Sequence, residues 1–467
     1  MERKAFLLLF LGYISFALVG AVLLLLPISR TGPLGFTDAF FTSTSALCVT
    51  GLIVRDTPVF FTLFGKAVIL VLIQLGGIGY MTVAGILLHR LRKSLILPEM
   101  VAHSFPELKP GFALSFARRV IVYTFTIEFF GSILLFFSFL KYFDPSLAFK
   151  HAIFQSVSAF CNAGFSTFSD SLVSFRGDIW VNLIMIFLIV CGGLGFFAVN
   201  EIRDFASSKL RSFKILNRKS EKIQGSESSG KVFRFSTHTK GVIVWTLSLI
   251  IGGFIVILLL ENNRAFASFT GLEKVLASLF QSVTPRTCGF NTVDFASLAP
   301  ATLMFIMLLM YIGGSPGGTA GGVKTNTFAL VFLWIFHYLK GYKNVYLFKR
   351  RIPGETVGKS LIIVFLSLLL ILTSIFLIFA LDKSVLNSHN PVDIVFEVFS
   401  AFGTVGLSTG SRFIPYISLS ADFIVPSKWI IIILMIVGKV GVLSIATYIV
   451  EKSRVEIGYP EDRYIVG

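Results

Sequence analysis

Four stretches of this chain could present backbone carbonyls to a cation: Val49-Thr50-Gly51, Asn162-Ala163-Gly164, Thr287-Cys288-Gly289 and Thr404-Val405-Gly406. Each glycine sits between two long apolar runs. Glycine adopts φ > 0 without penalty, so a short extended segment built around it can turn successive carbonyls toward one axis. Rings of carbonyl oxygens that replace a hydration shell are the chemistry of a cation selectivity filter. A glycine that only strengthened the fold would not recur four times in one setting. The hairpin around Thr404-Val405-Gly406-Leu407 comes nearest to the TVGYG loop of potassium channels.

Two further features could act on a passing ion. Tyr311 is followed by Ile312 and then by Gly313, Gly314, Ser315, Pro316, Gly317, Gly318, Thr319, Ala320, Gly321 and Gly322. That run has too many glycines, and a proline, to stay helical, so it predicts a flexible loop inside a span. It superficially suggests a phosphate loop, but Val323 separates Gly322 from Lys324-Thr325 and no soluble strand precedes it, so no nucleotide site is assigned to this chain. The second feature is Lys439, which lies about 16 Å along a helix counted from Lys428, near the middle of the bilayer. A charge at that depth costs about 2.5–3.5 kcal/mol and is expected to face a cavity. Snorkelling toward an interface is the alternative.

The elements that must position these residues follow from composition. The chain has 467 residues, of which 55% are hydrophobic and 14% charged, more apolar surface than one soluble core could bury. Long apolar stretches near 5–26, 66–90, 118–139, 179–200, 241–260, 301–337, 360–381 and 428–450 predict eight transmembrane helices. Arg3 and Lys4 precede the first, which is too long for a signal-peptide core and has no obvious cleavage site. Between successive spans lie the short segments Asp38–Ser45, Phe149–Ser158, Glu273–Ser282 and Asp393–Ser400. They are too short to cross and are read as re-entrant pore helices, because non-spanning backbone at that depth must line a cavity or be covered by protein. Phe41, Phe154 and Phe396 stand ten residues before their glycines and Phe280 nine, a one-residue deletion in the third repeat. The fold class is therefore an all-α polytopic membrane protein, four helix–pore-loop–helix repeats around one pore, with boundaries 1–100, 101–215, 216–345 and 346–467.

Of the 41 basic residues most fall on the side carrying both termini, whereas the 25 acids divide evenly, which places the termini in the cytoplasm. Arg286 is counted with the outer side. The net charge of +16 is thus topology rather than nucleic-acid binding. The stretch from Arg203 to Lys240, with its Gln224-Gly225-Ser226-Glu227-Ser228-Ser229-Gly230 run, reads as a flexible cytoplasmic linker. Cys48, Cys161, Cys191 and Cys288 form no CxxC pair, and the three in the hairpins read as small apolar fillers. No transition-metal site is expected. In the second helix of each repeat Gly76-Gly77-Ile78-Gly79, Gly192-Gly193-Leu194-Gly195, Gly313-Gly314-Ser315-Pro316 and Gly438-Lys439-Val440-Gly441 fall in register, either as helix-packing surfaces or as breaks. Glu128 lies within a span, where it could pair with a base, bind Na⁺ or be hydrogen-bonded as structure.

Single glycines at 51, 164, 289 and 406, the glycine-rich break in the third repeat and a basic residue in the fourth resemble the Trk/Ktr/HKT superfamily of cation transporters over nearly the whole chain. The opening directly on the first repeat and the Tyr459–Gly467 ending look like the KtrB-type, potassium-translocating subunits. The resemblance implies K⁺ uptake across the plasma (inner) membrane, often with Na⁺ dependence. It also implies a homodimer with one pore per protomer, and a cytosolic ring of KtrA-like nucleotide-binding regulatory subunits. The glycine loop would be the gate and Lys439, where the family usually has arginine, an electrostatic barrier. Gly51 argues against a Na⁺ transporter on the same scaffold, since Na⁺-selective members tend to carry serine there. A polytopic membrane enzyme is a second rival, but the six histidines form no catalytic cluster.

Overall fold

The computed structural model describes residues 2–79, 110–217 and 235–442. Each repeat contributes a long first helix, a short pore helix and a second helix. In repeat one these are α1 (Glu2–Leu25), α2 (Phe36–Leu47) and α3 (Leu63–Ile78). In repeat two they are α4 (Pro110–Phe139), α5 (Pro145–Phe160) and α6 (Ile179–Gly193), which is followed by α7 (Phe196–Asn217). Repeat three has α8 (Thr237–Glu261), α9 (Gly271–Val283) and a second helix in two pieces, α10 (Pro300–Tyr311) and α11 (Thr325–Leu339). Repeat four has α12 (Gly354–Leu381), α13 (Pro391–Gly403) and α14 (Val425–Val440).

Local chemistry fixes where the pore helices start. Proline at the first turn, where its missing N–H costs nothing, opens α5 and α13. Thr270 and Glu273 form a reciprocal capping box at α9. The pore helices then dive into the interior, with Phe41, Phe280 and Phe396 fully buried and Phe154 nearly so. The first helices face outward instead. Ser115–Phe139, Thr237–Glu261 and Gly354–Leu381 are long and apolar enough to cross a bilayer, yet only 22–28% of their most apolar windows is buried, so most of that surface is left for lipid.

The second helices are where sequence and structure part company. The break expected in repeat three recurs in repeat two, where α6 and α7 meet at 104°. Gly195 takes φ +86 at that corner, and Gly79 (φ +83) and Gly441 (φ +98) terminate α3 and α14 at matching positions. Small residues also pack here, so both readings of the register hold. A Cβ on Gly76, Gly192 or Gly438 would collide with the carbonyl oxygen of Leu47, Phe160 or Phe402, equivalent residues at the ends of three pore helices. A second correction concerns the linker, since residues 203–217 are helical within α7 and residues from 237 onward belong to α8. Residues 218–234 of the linker, with the Gln224–Gly230 run, lie outside the described residues, as do the Tyr459–Gly467 ending and the tail of the first and last predicted second spans.

Candidate pore and its gate

The four hairpins close into a ring in chain order. A Cβ placed on Gly51 would lie 2.6 Å from Ala163 O, and one on Gly164 2.6 Å from Cys288 O. Likewise Gly289 abuts Val405 O, and Gly406 abuts Thr50 O, so repeat four meets repeat one and the circle is complete. All four glycines have positive φ, at +95, +70, +84 and +92. Two residues earlier, Val49, Asn162, Thr287 and Thr404 are left-handed as well, at φ 51, 59, 75 and 49. That placement is strained for β-branched Val49, Thr287 and Thr404, and strain of this sort persists only where the surroundings impose it. Left-handed residues alternating with ordinary ones bring successive carbonyls to the same side of the strand. The sequence showed the glycines but not the strained position ahead of them.

What imposes the conformation is the last turn of each pore helix. Ser45 Oγ donates to Leu52 O (2.7 Å), Ser158 Oγ to Phe165 O (2.7 Å) and Thr284 Oγ1 to Phe290 O (2.5 Å). In repeat four Ser400 Oγ accepts from Gly406 N (3.1 Å), as Ser45 Oγ does from Gly51 N. Threonine in repeat three accommodates the one-residue deletion there. Each bond satisfies a buried backbone group that would otherwise cost about 1–3 kcal/mol. Behind the strands Cys48, Cys161 and Cys288 are fully buried.

Outside the ring lies a cavity of about 530 Å³ whose floor includes Gly51, Gly164, Gly289 and Gly406. Asp56, Asp170 and Asp294 line it, one from each of three repeats, and no lysine or arginine does. Burial raises the Asp56 carboxyl above its ordinary value, opposed by the hydrogen bond from Ser169 and the charge of Lys66. On the other side the glycine loop packs against the hairpins. A Cβ on Gly313 would come within 3.4 Å of Thr287 Cγ2, and one on Gly321 would strike Thr404 Oγ1. The loop is held by backbone bonds from two sides, the α6–α7 corner and α14. Ser315 N donates to Gly193 O (3.0 Å), Phe196 N to Gly317 O (3.0 Å) and Gly322 N to Gly438 O (3.2 Å). Lys439 Nζ donates to Thr319 O, and Lys324 Nζ to Ala320 O. Lys439 therefore points inward at the loop rather than toward an interface.

Two charged residues escaped the sequence reading. Arg286, counted as an outer charge, is 7% exposed inside the third hairpin. Its Nη2 donates to Thr246 Oγ1 (3.2 Å), and it shares a small void with Val190, Gly193 and Leu194 at the carbonyl end of α6, where a helix dipole favours a cation. Glu397 on α13 is wholly buried. Its signal was its register with Gln155 and Gln281 in the neighbouring pore helices. Glu128 accepts from Gln74 Nε2 at both oxygens (3.1 and 3.0 Å) and lies 3.5 Å from Cys161 Sγ, an arrangement of hydrogen bonds with no basic partner among the described residues.

Residues 8–455 match the TrkH family, described as a cation transport protein. The chain is 34% identical to Ktr system potassium uptake protein B of Bacillus subtilis, covering 98% of this chain and 95% of that protein. It is also 34% identical to the protein of the same name from Vibrio alginolyticus, over 100% and 95% of the two chains. The potassium/sodium uptake protein NtpJ of Enterococcus hirae is 31% identical over 98% of this chain and 96% of its own. Among solved structures, the potassium transporter TrkH of Vibrio parahaemolyticus superposes with a TM-score of 0.69 at 19% identity, covering 95% of this chain and 84% of that one.

Proposed function

This chain belongs to the TrkH family of cation transport proteins, and from that premise we propose that it takes up K⁺ through the ring of four hairpins. The observation that carries this reading is the closed succession of glycines, each against the carbonyl of the next repeat, at the floor of a cavity lined by three aspartates and no base. Carbonyls of residues 49–51, 162–164, 287–289 and 404–406 replace the ion's water. Entry is downhill, because an inside-negative potential supplies about 2.3 kcal/mol per charge per 100 mV, so no ATP need be hydrolysed on this chain. The loop Gly313–Gly322 blocks the inner exit, and Lys439 both tethers it and repels cations beneath the ring. The full-length likeness to proteins named as potassium uptake proteins supports the choice of ion, and the likeness to one named potassium/sodium uptake protein keeps Na⁺ dependence within the proposal. In the same reading two chains form a dimer in the inner membrane with their termini in the cytoplasm, where a KtrA-like nucleotide-binding ring controls the loop.

Expression in a K⁺-uptake-deficient bacterium tests the reading. Growth on limiting K⁺, enhanced by a co-expressed regulatory ring, is the expected result, and no rescue with or without ring and Na⁺ would count against it. Lys439 offers a second test. A unit charge 4 Å from a K⁺ repels it by about 4 kcal/mol at an effective dielectric of about 20. Lys439→Ala is expected to raise K⁺ flux in proteoliposomes about tenfold or more, whereas Lys439→Arg keeps both charge and donor and should stay near the parent rate. Equal flux in all three proteins would remove Lys439 from the permeation path.

A further inference from the structure

The four pore helices carry, one turn before the hydroxyl that clamps each hairpin, a buried polar side chain. These are Thr42, Gln155, Gln281 and Glu397, exposed by 1% or less. In repeats two and three the glutamine braces its own outgoing strand, Gln155 Nε2 donating to Ser166 Oγ (2.8 Å) and Gln281 Nε2 to Thr292 Oγ1 (3.3 Å). Repeat one has no such brace, since Thr42 turns back to Asp38 O of its own helix (2.9 Å). Repeat four differs in chemistry and adds a second target, since Glu397 lies against Ser408 on its own outgoing strand, as the glutamines do on theirs, and also reaches further. Glu397 Oε1 accepts from Ser420 N (2.9 Å) and Ser420 Oγ (2.5 Å), in a turn well beyond the hairpin.

That turn is where the ring must close. Repeats one to two, two to three and three to four follow each other along the chain, but four meets one only through non-covalent contacts. Beside Ser420, Ser418 Oγ accepts from Ile53 N (2.9 Å) and Ser418 N donates to Ile53 O (3.0 Å), so the turn held by Glu397 grips the strand leaving the first hairpin. Leu419 N in the same turn donates to Ser408 Oγ (2.9 Å), on the strand leaving the fourth. Below it Lys428 Nζ bonds Asp38 Oδ1 (2.8 Å) across the same seam, from α14 to the pore helix α2.

We propose that Glu397 is a positioning residue for ion selection. Its carboxylate fixes the 418–420 turn, which braces the outgoing strands of the first and fourth hairpins and closes the ring at its one discontinuous junction. The inference rests on the reading of the ring as the ion-selective element. A carboxyl group is suited to the task because one of its oxygens accepts both donors of Ser420, the backbone N–H and the hydroxyl. Glutamine at the same position keeps an acceptor oxygen for Ser420, whereas leucine keeps the bulk and loses it.

The experiment is the K⁺/Na⁺ permeability ratio of the full chain in proteoliposomes, with thermal stability measured in parallel. Glu397→Leu and Ser418→Ala are each expected to lower the ratio about tenfold, and Glu397→Gln to retain most of it. A folded Glu397→Leu protein with the parent ratio overturns the proposal. If that variant does not fold, an unchanged ratio in Ser418→Ala overturns it instead. A loss in Glu397→Gln as large as in Glu397→Leu also contradicts it, since the acceptor is still present. Gly406→Ser in the same assay separates this inference from the one beneath it. Lost selectivity there with none lost in Glu397→Leu refutes only the brace, and unchanged selectivity in Gly406→Ser refutes the ring as the ion-selective element.

Discussion

Gly51→Ser is expected to cut K⁺ over Na⁺ discrimination by about tenfold or more, a change on the order of 1.4 kcal/mol in the relative barriers for the two ions. Gly51 has φ +95, a conformation that serine enters only with strain, and the added Cβ would stand 2.6 Å from Ala163 O and 3.0 Å from Gly164 Cα. Neither neighbour is the loose end of a side chain. Relief must come from rotation of the peptide, which takes one carbonyl out of the ring and leaves a hydroxyl in its place. A hydroxyl suits a smaller, more strongly hydrated ion better than a rigid ring of carbonyls does. The measurement is the bi-ionic reversal potential of the variant beside the parent. Should serine at position 51 or at position 406 leave the potential unmoved in a folded protein, the ring does not select.

Removal of Gly313–Gly322 is expected to raise K⁺ flux to a level that a cytosolic regulator no longer enhances. The geometry of the stumps makes the deletion feasible, because Ile312 and Val323 already pair across the base of the loop and Gly313 N donates to Val323 O (2.8 Å). Ten residues can therefore go without pulling α10 and α11 far from their places. The deletion frees Gly192 O, Gly193 O and Gly438 O and takes away the Thr319 carbonyl that Lys439 holds. It also clears the space under Thr287 and Thr404. Flux in liposomes lacking any partner protein is the readout. A folded deletion protein that stays closed under every condition would make the loop a strut and move the gate elsewhere.

How much of this was legible in the sequence depends on whether a residue type or only a context carries the information. Gly51, Gly164, Gly289 and Gly406 announce themselves because no other residue takes their conformation cheaply, and the loop after Tyr311 does so because glycine and proline cannot continue a helix. The pore helices were visible as short amphipathic segments between the long apolar runs. The break at Gly195 was harder to see, since Gly192-Gly193-Leu194-Gly195 is equally consistent with a packing surface, and the structure uses it as both. Val49, Thr287 and Thr404 gave no warning at all, because their left-handed backbone is imposed by bonds from the last turn of their own pore helix and runs against their own preference. Arg286 and Glu397 were misjudged or missed for a related reason. A charge in a hairpin or a short helix looks solvated until the repeats are superposed, and only then does Glu397 stand where two glutamines stand. Residues 203–217 erred in the opposite direction, since their charge suggested a linker while the structure continues them as a helix.

The central claim is that K⁺ crosses through the ring of four hairpins, and the purified protein in liposomes with K⁺ on one side and Na⁺ on the other tests it most directly. The expected reversal potential follows the K⁺ gradient in the parent protein and shifts toward zero in Gly51→Ser. A potential that follows Na⁺, or one that the substitution leaves in place, would contradict it.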